Sequence, residues 1–282
     1  ALIDPGDLVL LEEPHYRPAR IVMKAAGAKV HTVPVDKHGL CTSQLAVQRS
    51  GCRLVIVTPS HQYPTGAVMP LARRLELLAW SKRERAVIFE DDYDSEYRYS
   101  GRPIEALQAL DDHGAILYAG TFSKVMFPAL RLGYLVVPER HVEPFRTIKG
   151  LADTGSPSLP QLALADFIRS GLLERHLHRQ RVRNSARRAA LVEAVNYYLG
   201  DQAEVSGVDA GLHILLWLRK VPQGNVEVLR KSAEKAGVGV YSVAPYYSTP
   251  PPQAGLLLGY GTLSEKEITE GVRRLASVLR TK

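Results

Sequence analysis

The chain has 282 residues, of which 45% are hydrophobic and 23% charged, and its formal net charge is +7. This is the composition of a soluble globular protein, and it excludes a chain that is mainly disordered. The sequence has no run of about 18 apolar residues, which excludes a membrane-spanning helix, and its first residues lack the basic start of a secretory signal. Cys41 and Cys52 are too few for a disulfide framework or a zinc cluster, so we expect a reducing, cytoplasmic location.

The net positive charge has two explanations. It indicates a nucleic-acid or phosphate partner, or it is the charge of an ordinary solvated surface. The densest basic segment, residues 174–188, follows a helical pattern without interleaved aromatic residues. We therefore interpret it mainly as an exposed helix face, which can also contribute to a surface for an acidic partner.

Short apolar strands alternate with helical segments in the first half of the chain. The patterns predict strands at 8–11, 29–35, 54–57, 87–89, 116–119 and 132–137, and helices at 17–26, 43–49 and 71–85. Such alternation predicts a mostly parallel sheet covered by helices on both faces. Polar segments follow three of the strands, at 58–66, 90–93 and 120–124. Because ligands of these sheets bind beyond the carboxyl ends of the strands, we expect the three segments to share one site.

The second half of the chain has a different order of predicted elements. A helical pattern over 158–184, as one helix or two, precedes a smaller α+β unit. The unit has predicted strands at 211–218, 238–241 and 256–260 and helices at 226–236 and 264–280. The predicted organisation is a large domain at 1–155, a connecting helix at 156–185 and a small domain at 186–282.

Four residues stand out as candidates for chemistry, and each has an ordinary structural alternative. Lys124 follows a strand, where a lysine is usually a surface residue. Asp91 and Asp92 follow an apolar strand and can cap the next turn. Arg131 lies between two leucines and can pair with a structural carboxylate instead of a ligand.

Three motifs occur together: PSHQYPTG at 59–66, EDDY at 90–93 and GTFSKVMFPALRLGY at 120–134. In order and wording they resemble the P-x-x-x-N-P-T-G loop, the ring-holding strand end and the lysine loop of the fold-type-I pyridoxal-phosphate (PLP) proteins, the aspartate aminotransferase superfamily. The longer stretches 90–103 and 255–276 make the chain similar to the aminotransferase-like domain of MocR-type regulators, in the GntR family of transcriptional regulators.

The resemblance implies an α/β fold of the fold-type-I PLP-dependent transferases, in which a large domain with a mostly parallel sheet precedes a smaller C-terminal α+β domain. It implies PLP as the cofactor and a homodimer with sites at a two-fold interface. It also implies that DNA is bound only through a winged-helix domain that lies outside these 282 residues. The family's phosphate-binding turn would lie before Ala1, so we expect the sequence to begin inside a longer protein.

The resemblance also assigns the roles at the ring. PLP needs a primary amine at its aldehyde, and Lys124 matches the lysine that forms the internal aldimine. Asp91 matches the carboxylate beside the ring nitrogen, whose pKa an opposite charge raises. Tyr93 lies two residues on, on the same side of an extended strand, and can reach the ring hydroxyl. Tyr16 matches the aromatic residue that stacks on the ring, although a partly buried tyrosine at a proline turn is the alternative.

The phosphate group needs fixed hydrogen-bond donors. Arg131 matches the family's phosphate-binding arginine and offers a planar fork that suits phosphate oxygens. Thr121 and Ser123 add hydroxyl donors in the same loop.

Two departures from the family's pattern concern ligand binding. Tyr63 stands where many aminotransferases have an asparagine that donates to the ring hydroxyl, so either His61 or Gln62 replaces that contact or the contact is lost. Leu257 stands where an arginine usually binds the carboxylate of an amino acid, and losing a charged contact costs about 1.5–3 kcal/mol. Efficient transamination of ordinary α-amino acids is therefore not expected. Arg17 and Arg20 are alternative carboxylate ligands, but helix surface charge is the preferred interpretation.

The leading hypothesis is a sensory module. PLP, or its adduct with a small-molecule amine or amino-acid effector, binds at Lys124, and the change of ligation repositions an attached DNA-binding domain. The alternative is a stand-alone class I/II aminotransferase in which Lys124 shuttles a proton. An α/β protein without a cofactor is the third reading.

Overall fold

The computed structural model describes residues 1–45, 51–101 and 104–280. The strands in these ranges are β1 (Leu8–Glu13), β2 (Lys29–Asp36), β3 (Gly39–Leu40), β4 (Cys52–Val57), β5 (Val87–Asp92), β6 (Ile116–Thr121), β7 (Gly133–Val136), β8 (Ala203–Ser206), β9 (His213–Pro222), β10 (Tyr241–Ser242) and β11 (Gln253–Gly259). The helices are α1 (Arg17–Ala25), α2 (Thr42–Leu45), α3 (Leu71–Glu84), α4 (Leu107–Leu110), α5 (Glu139–Asp153), α6 (Ser158–Arg169), α7 (Leu172–Tyr198), α8 (Val226–Lys235) and α9 (Glu265–Arg280).

The large sheet has seven strands in the order β3-β2-β1-β4-β5-β6-β7. Its five central strands are parallel, and the two edge strands β3 and β7 run antiparallel to their neighbours. Alternate residues of the central strands enter separate apolar clusters: Leu10 and Val55 belong to one cluster, and Leu11 and Ile56 to the other. Burial on both faces explains the short apolar runs, and the predicted mostly parallel sheet is confirmed.

Most predicted elements of the first half are present, with shifted ends. Gly27 follows α1 with φ of +81°, the left-handed conformation predicted for the residue that stops this helix. The predicted strand at 87–89 continues to Asp92, so the acidic residues that follow its apolar part lie in the strand itself. The helix predicted at 43–49 is observed at Thr42–Leu45, and residues 46–49 lie outside the described residues.

The small sheet has four antiparallel strands in the order β10-β11-β9-β8. Helices α7, α8 and α9 contribute to its core, in which Leu191, Leu229 and Leu275 join Leu216 and Leu256 of the sheet. The predicted α+β unit is therefore present, although the strand predicted at 238–241 is limited to Tyr241–Ser242. The sheet and its helices bury one continuous apolar cluster.

The 27-residue helix α7 connects the two sheets. Near its start, His176 Nε2 lies 2.8 Å from the carbonyl oxygen of Val125, in the loop after β6. Near its middle, Arg187 and Arg188 donate to the carbonyl oxygens of Gly261 and Val208 in the small-sheet region. Part of the basic segment predicted as an exposed helix face therefore attaches the helix to the rest of the protein. The predicted domain boundaries at 155 and 185 remain a prediction.

Helix α5 is a helix that the sequence patterns do not predict. It contains Pro144, and its apolar residues Ile148 and Leu151 are exposed instead of facing a core. An apolar stripe without a buried partner and an internal proline both weaken the helical signal. None of the helices in the described ranges is both long enough and apolar enough to cross a bilayer.

Candidate functional site

A cavity of about 680 Å³ lies where the carboxyl ends of β4, β5 and β6 face the small sheet. The three polar segments that were expected to share a site all border it. The large-sheet region contributes Tyr16, Thr58, Tyr63, Asp91, Tyr93, Asp94, Thr121 and Lys124, and the small-sheet region contributes Leu212, His213, Tyr241, Tyr246, Leu257 and Gly259.

The acidic side chains at the end of β5 face different surroundings: one borders the cavity, and two accept hydrogen bonds from protein groups. Asp91 borders the cavity, and Tyr93, two residues further, borders it as well. Glu90 points to the other side, where its carboxylate accepts hydrogen bonds from the first backbone N–H groups of α4 at 2.9 Å. Asp92 accepts from the hydroxyl of Tyr118 at 2.7 Å. The alternation of the strand therefore leaves Asp91 as the acid available to a ligand.

Asp91 is electrostatically crowded. Burial raises its pKa from 3.8 to about 6, and the neighbouring carboxylates of Asp92 and Asp94 add to the effect. A cation placed beside Asp91 would relieve this penalty. The arrangement suits a protonated nitrogen in the cavity.

Tyr93, His61 and Asp94 form one buried unit. Nδ1 of His61 lies 3.0 Å from the hydroxyl of Tyr93 and 3.1 Å from both carboxylate oxygens of Asp94. The tautomer with its hydrogen on Nδ1 donates to Asp94, and the hydroxyl hydrogen of Tyr93 then stays free for a ligand. A Cβ at Gly211 would collide with the His61 ring, so close packing fixes the imidazole.

His61, which the sequence predicts as a ligand contact, lies outside the cavity lining, and a contact with the cofactor stays a prediction. His61 is 2% exposed and stands behind Tyr93, outside the cavity lining. Gln62 is also fully buried, and its amide donates to the carbonyl oxygen of Pro14 at 2.9 Å. The residue types in PSHQYPTG indicate a polar contact but not its partner. In the structure, the partners of His61 are Tyr93 and Asp94.

Glu12 is a buried acid that the sequence reasoning missed. Its carboxylate accepts from the backbone N–H and the hydroxyl of Thr58, at 3.1 and 2.7 Å, and from the Gln62 amide at 3.1 Å. Burial raises the pKa of Glu12 to about 7. It holds the start of the loop after β4, and the signal that could have revealed it is an acid directly after the apolar run of β1.

The loop after β6 presents Lys124 with a fixed backbone and an exposed side chain. The carbonyl oxygen of Lys124 accepts from the hydroxyl of Tyr97 at 3.3 Å, and the neighbouring Val125 is buried. Thr121 borders the cavity beside Lys124, whereas Ser123 is outside its lining and its backbone N–H donates to the Thr121 hydroxyl at 3.2 Å.

The structure does not bring Arg131 to this cavity. Arg131 follows a 3-10 turn at Pro128–Leu130, has φ of +51° and is exposed. It lines a second cavity of about 620 Å³ together with Phe122 and Tyr134. Thr121 and Lys124 border the first cavity and Phe122 borders the second, so the predicted phosphate ligands Thr121 and Arg131 line different cavities.

Aromatic rings form the wall between the two sheets. Tyr63 is at its centre, with ring centroids 5.7 Å from Tyr16, 5.8 Å from Tyr93 and 5.0 Å from Tyr246, all edge to face. The Tyr63 hydroxyl donates to that of Tyr246 at 3.0 Å, which links the loop after β4 to the small-sheet region. Tyr16 borders the cavity and is 43% exposed, so its side chain is accessible to a ligand.

The small-sheet side adds a neutral, largely apolar surface. Leu257 is 6% exposed and packs with Leu215 and Val243. His213 donates from Nε2 to the carbonyl oxygen of Pro64 at 3.2 Å. Burial and the neighbouring His61 lower the pKa of His213 to about 4, so its ring is neutral at pH 7.

Comparison with known proteins gives the family. The family model of class I and II aminotransferases matches residues 1–275. The chain is 40% identical to an uncharacterized HTH-type transcriptional regulator, YhdI of Bacillus subtilis, over 97% of this chain and 57% of that protein. It is 38% identical to the probable rhizopine catabolism regulatory protein MocR of Rhizobium meliloti, over 98% of this chain and 55% of that protein.

Among solved structures, the α-aminoadipate aminotransferase LysN of Thermus thermophilus has a TM-score of 0.91 and 27% sequence identity, covering 99% of this chain and 72% of that one. That crystal structure is of a complex with N-(5'-phosphopyridoxyl)-L-leucine. The chain thus has the fold of the PLP-dependent aminotransferases, and it spans a little over half the length of its curated relatives. It belongs to the class I and II aminotransferase family.

Proposed function

We propose that this chain is the PLP-binding, effector-sensing domain of a MocR-type transcriptional regulator. The observation that carries the proposal is that Lys124, Asp91 and Tyr93 border one cavity at the ends of β5 and β6. The HTH-type regulators among its relatives support a sensory role over an enzymatic one.

The cavity fits PLP on the ring side. Bound PLP supplies an aldehyde carbon that bonds to a primary amine and a ring that withdraws electrons. The exposed amine of Lys124 would hold the aldehyde end. The crowded carboxylate of Asp91 would accept from a protonated ring nitrogen, and the Tyr93 hydroxyl, oriented by His61, would donate to the ring oxygen. Tyr16 would cover the ring face.

The fit on the phosphate side is less complete. Thr121 borders the cavity and offers a hydroxyl donor. Arg131 would have to leave the second cavity to reach a phosphate, which the exposure of this long side chain permits. We therefore propose that the Arg131 side chain moves from the second cavity to the phosphate when the ligand binds.

Sensing would follow from the ligation of Lys124. An effector amine that takes the place of Lys124 changes the contacts of the loop after β6, and a switch requires such a difference between two states. Val125 in this loop is joined to α7 through His176. We propose that DNA is contacted by a winged-helix domain outside this chain.

We also propose a homodimer. Exposed apolar side chains cluster on α5 and α6, where Leu151 is 82% and Leu159 is 77% exposed. Large exposed apolar surfaces usually mark protein contacts. A second copy of the chain is the partner that the family's symmetry favours.

The alternative is a stand-alone aminotransferase. The TM-score of 0.91 to LysN favours it, because the whole fold is that of an enzyme. Leu257 disfavours it, since the cavity wall at that position is apolar.

An absorbance spectrum with added PLP tests the proposal. The wild type should develop the band of a PLP–lysine linkage, Lys124→Ala should lack it, and Lys82→Ala, which changes an exposed lysine of α3, should retain it. Borohydride trapping and peptide mapping identify the lysine independently.

Titration with amines and product analysis then separate the two functions. A shifted band without keto product supports the sensor, whereas keto product over many turnovers identifies a transaminase. An identical band in Lys124→Ala would refute the assignment of this residue.

A further inference from the structure

The cavity wall on the small-sheet side decides which ligand it can accept. Tyr241 and Leu257 are directly paired between β10 and β11, and both border the cavity. Leu257 belongs to an apolar cluster against which the rings of Tyr63 and Tyr246 pack. The surface that meets the body of a ligand is therefore aliphatic and aromatic.

The charges around the cavity are mostly negative. Of the lining residues that the structure describes, Asp91, Asp94 and Lys124 have formally charged side chains, and His213 is neutral at pH 7. The proposed function uses Lys124 to hold PLP. Among the described lining residues, no cation is then left to pair with a ligand carboxylate, which would enter a partly desolvated space without a counter-charge.

The arginine attached to this wall is already compensated. Arg20 lies 3.1 Å from the Glu13 carboxylate and donates to the carbonyl oxygen of Tyr246 at 3.3 Å. Both charged side chains are largely buried, at 15% and 18% exposure. Withdrawing Arg20 to bind a carboxylate would leave Glu13 without its ion-pair partner, which is costly in a buried setting.

Tyrosine hydroxyls do not replace a cation here. The hydroxyls of Tyr63 and Tyr246 are bonded to each other at 3.0 Å, so one of their two hydrogens is already donated. The remaining donors are neutral, and hydrogen bonds to a carboxylate from neutral donors are weaker than those from a cation.

Resting on the proposed function, we infer that the effector is a primary amine with an apolar or aromatic body and no carboxylate, of the arylalkylamine class. Its amine bonds at the aldehyde end of PLP, where Lys124 is held, and its body packs against Leu257 and the tyrosine rings. When it takes the place of Lys124, a carbon–nitrogen double bond between PLP and the effector would form and the carbon–nitrogen double bond to Lys124 would break. Two hydrogens pass from the incoming amine to the Lys124 nitrogen, so the exchange needs no oxidant or reductant.

A matched pair of probes tests the inference, because phenethylamine and L-phenylalanine differ only in the carboxylate. Each probe is titrated into the PLP-loaded protein, and the concentration at half of the absorbance shift is measured. This concentration is divided by the one measured for the same probe with free PLP, which corrects for the different reactivity of the two amines. We expect phenethylamine to act at a concentration at least tenfold lower. Isothermal calorimetry gives a second readout that does not depend on the absorbance.

Leu257 supplies the control variants. Leu257→Arg should narrow the preference for phenethylamine over L-phenylalanine by at least tenfold, and Leu257→Met, which keeps the wall apolar, should still prefer phenethylamine. Circular dichroism shows whether each variant folds. If the arginine variant does not fold, the comparison of the two probes on the wild type still tests the inference.

The outcomes are distinguishable. Equal or tighter action of L-phenylalanine on the wild type overturns the inference and leaves the PLP assignment standing. A stable PLP–lysine band that neither probe shifts also overturns it. The absence of any band rejects the proposed function, and the inference falls with it.

Discussion

The end of β5 and the loop after β6 border the same cavity, but they are held in opposite ways. At the end of β5, Tyr93 and Asp94 are fixed by the buried ring of His61. In the loop after β6, the backbone of Lys124 is anchored while its side chain is exposed, and Arg131 lies in a separate cavity. The end of β5 is therefore preorganised by the fold, whereas the loop after β6 keeps exposed side chains that are open to a ligand.

Removing the exposed amine of Lys124 should have the largest effect. Lys124→Ala should abolish the PLP–lysine band and any amine-dependent shift, because no other described lining residue is a lysine. Thermal stability should change by less than about 0.5 kcal/mol, as is usual for an exposed side chain. Parallel spectra and melting curves check both parts, and a large loss of stability would mean that Lys124 supports the fold.

Asp91→Asn should weaken PLP binding about 10- to 100-fold, since a charged hydrogen bond contributes about 1.5–3 kcal/mol. The same change should stabilise the ligand-free protein at pH 7. The pKa of Asp91 is raised from 3.8 to about 6 in the folded protein, so ionising Asp91 destabilises the folded state. This destabilisation is absent below pH 4, grows between pH 4 and 6 and is complete above pH 6.

The gain at pH 7 is expected to be about 1–3 kcal/mol and to vanish near pH 4. Urea unfolding of the ligand-free proteins at both pH values measures it. A variant that is less stable than the wild type at pH 7 would show that Asp91 has a structural partner.

His61→Ala should destabilise the protein by about 1–3 kcal/mol, because it leaves the buried carboxylate of Asp94 without its hydrogen-bond donor. The double variant His61→Ala with Asp94→Asn should recover part of this loss. Denaturant unfolding of the three proteins provides the comparison. If the double variant is no more stable than the single one, the two side chains do not act as a pair.

Arg131→Ala should have the smallest effect. We expect PLP affinity to fall about fivefold to tenfold, near 1 kcal/mol, while the affinity for pyridoxal, which lacks the phosphate, stays unchanged. Fluorescence titration with both compounds separates the phosphate contribution. Equal losses for PLP and pyridoxal would indicate that Arg131 acts through the loop and not on the phosphate.

The sequence predicts the framework of the site well because local patterns determine it. Apolar runs identify β4, β5 and β6, and period-two alternation places Asp91 and Tyr93 on one side of a strand. The contact between His61 and Asp94 joins residues 33 positions apart, and the register of β4 against β5 creates it. Such a contact has no local signature.

The position of Arg131 could not be predicted for a different reason. Its motif spacing is that of the family, but its location depends on the left-handed conformation after Leu130 and on which side of the loop is open. The role of Asp92 was also undetermined, since two adjacent acids look alike in sequence and only the strand assigns one to Tyr118.

The length of α7 has a mechanical consequence. At 1.5 Å per residue its 27 residues make a rod of about 40 Å, joined to the loop that carries Lys124 by the contact between His176 and Val125. A tilt of about 5° at that end displaces the other by about 3.5 Å, roughly the width of an atom-to-atom contact. Because Leu191 and Val195 of the same helix lie in the core of the small sheet, such a tilt would carry that core with it.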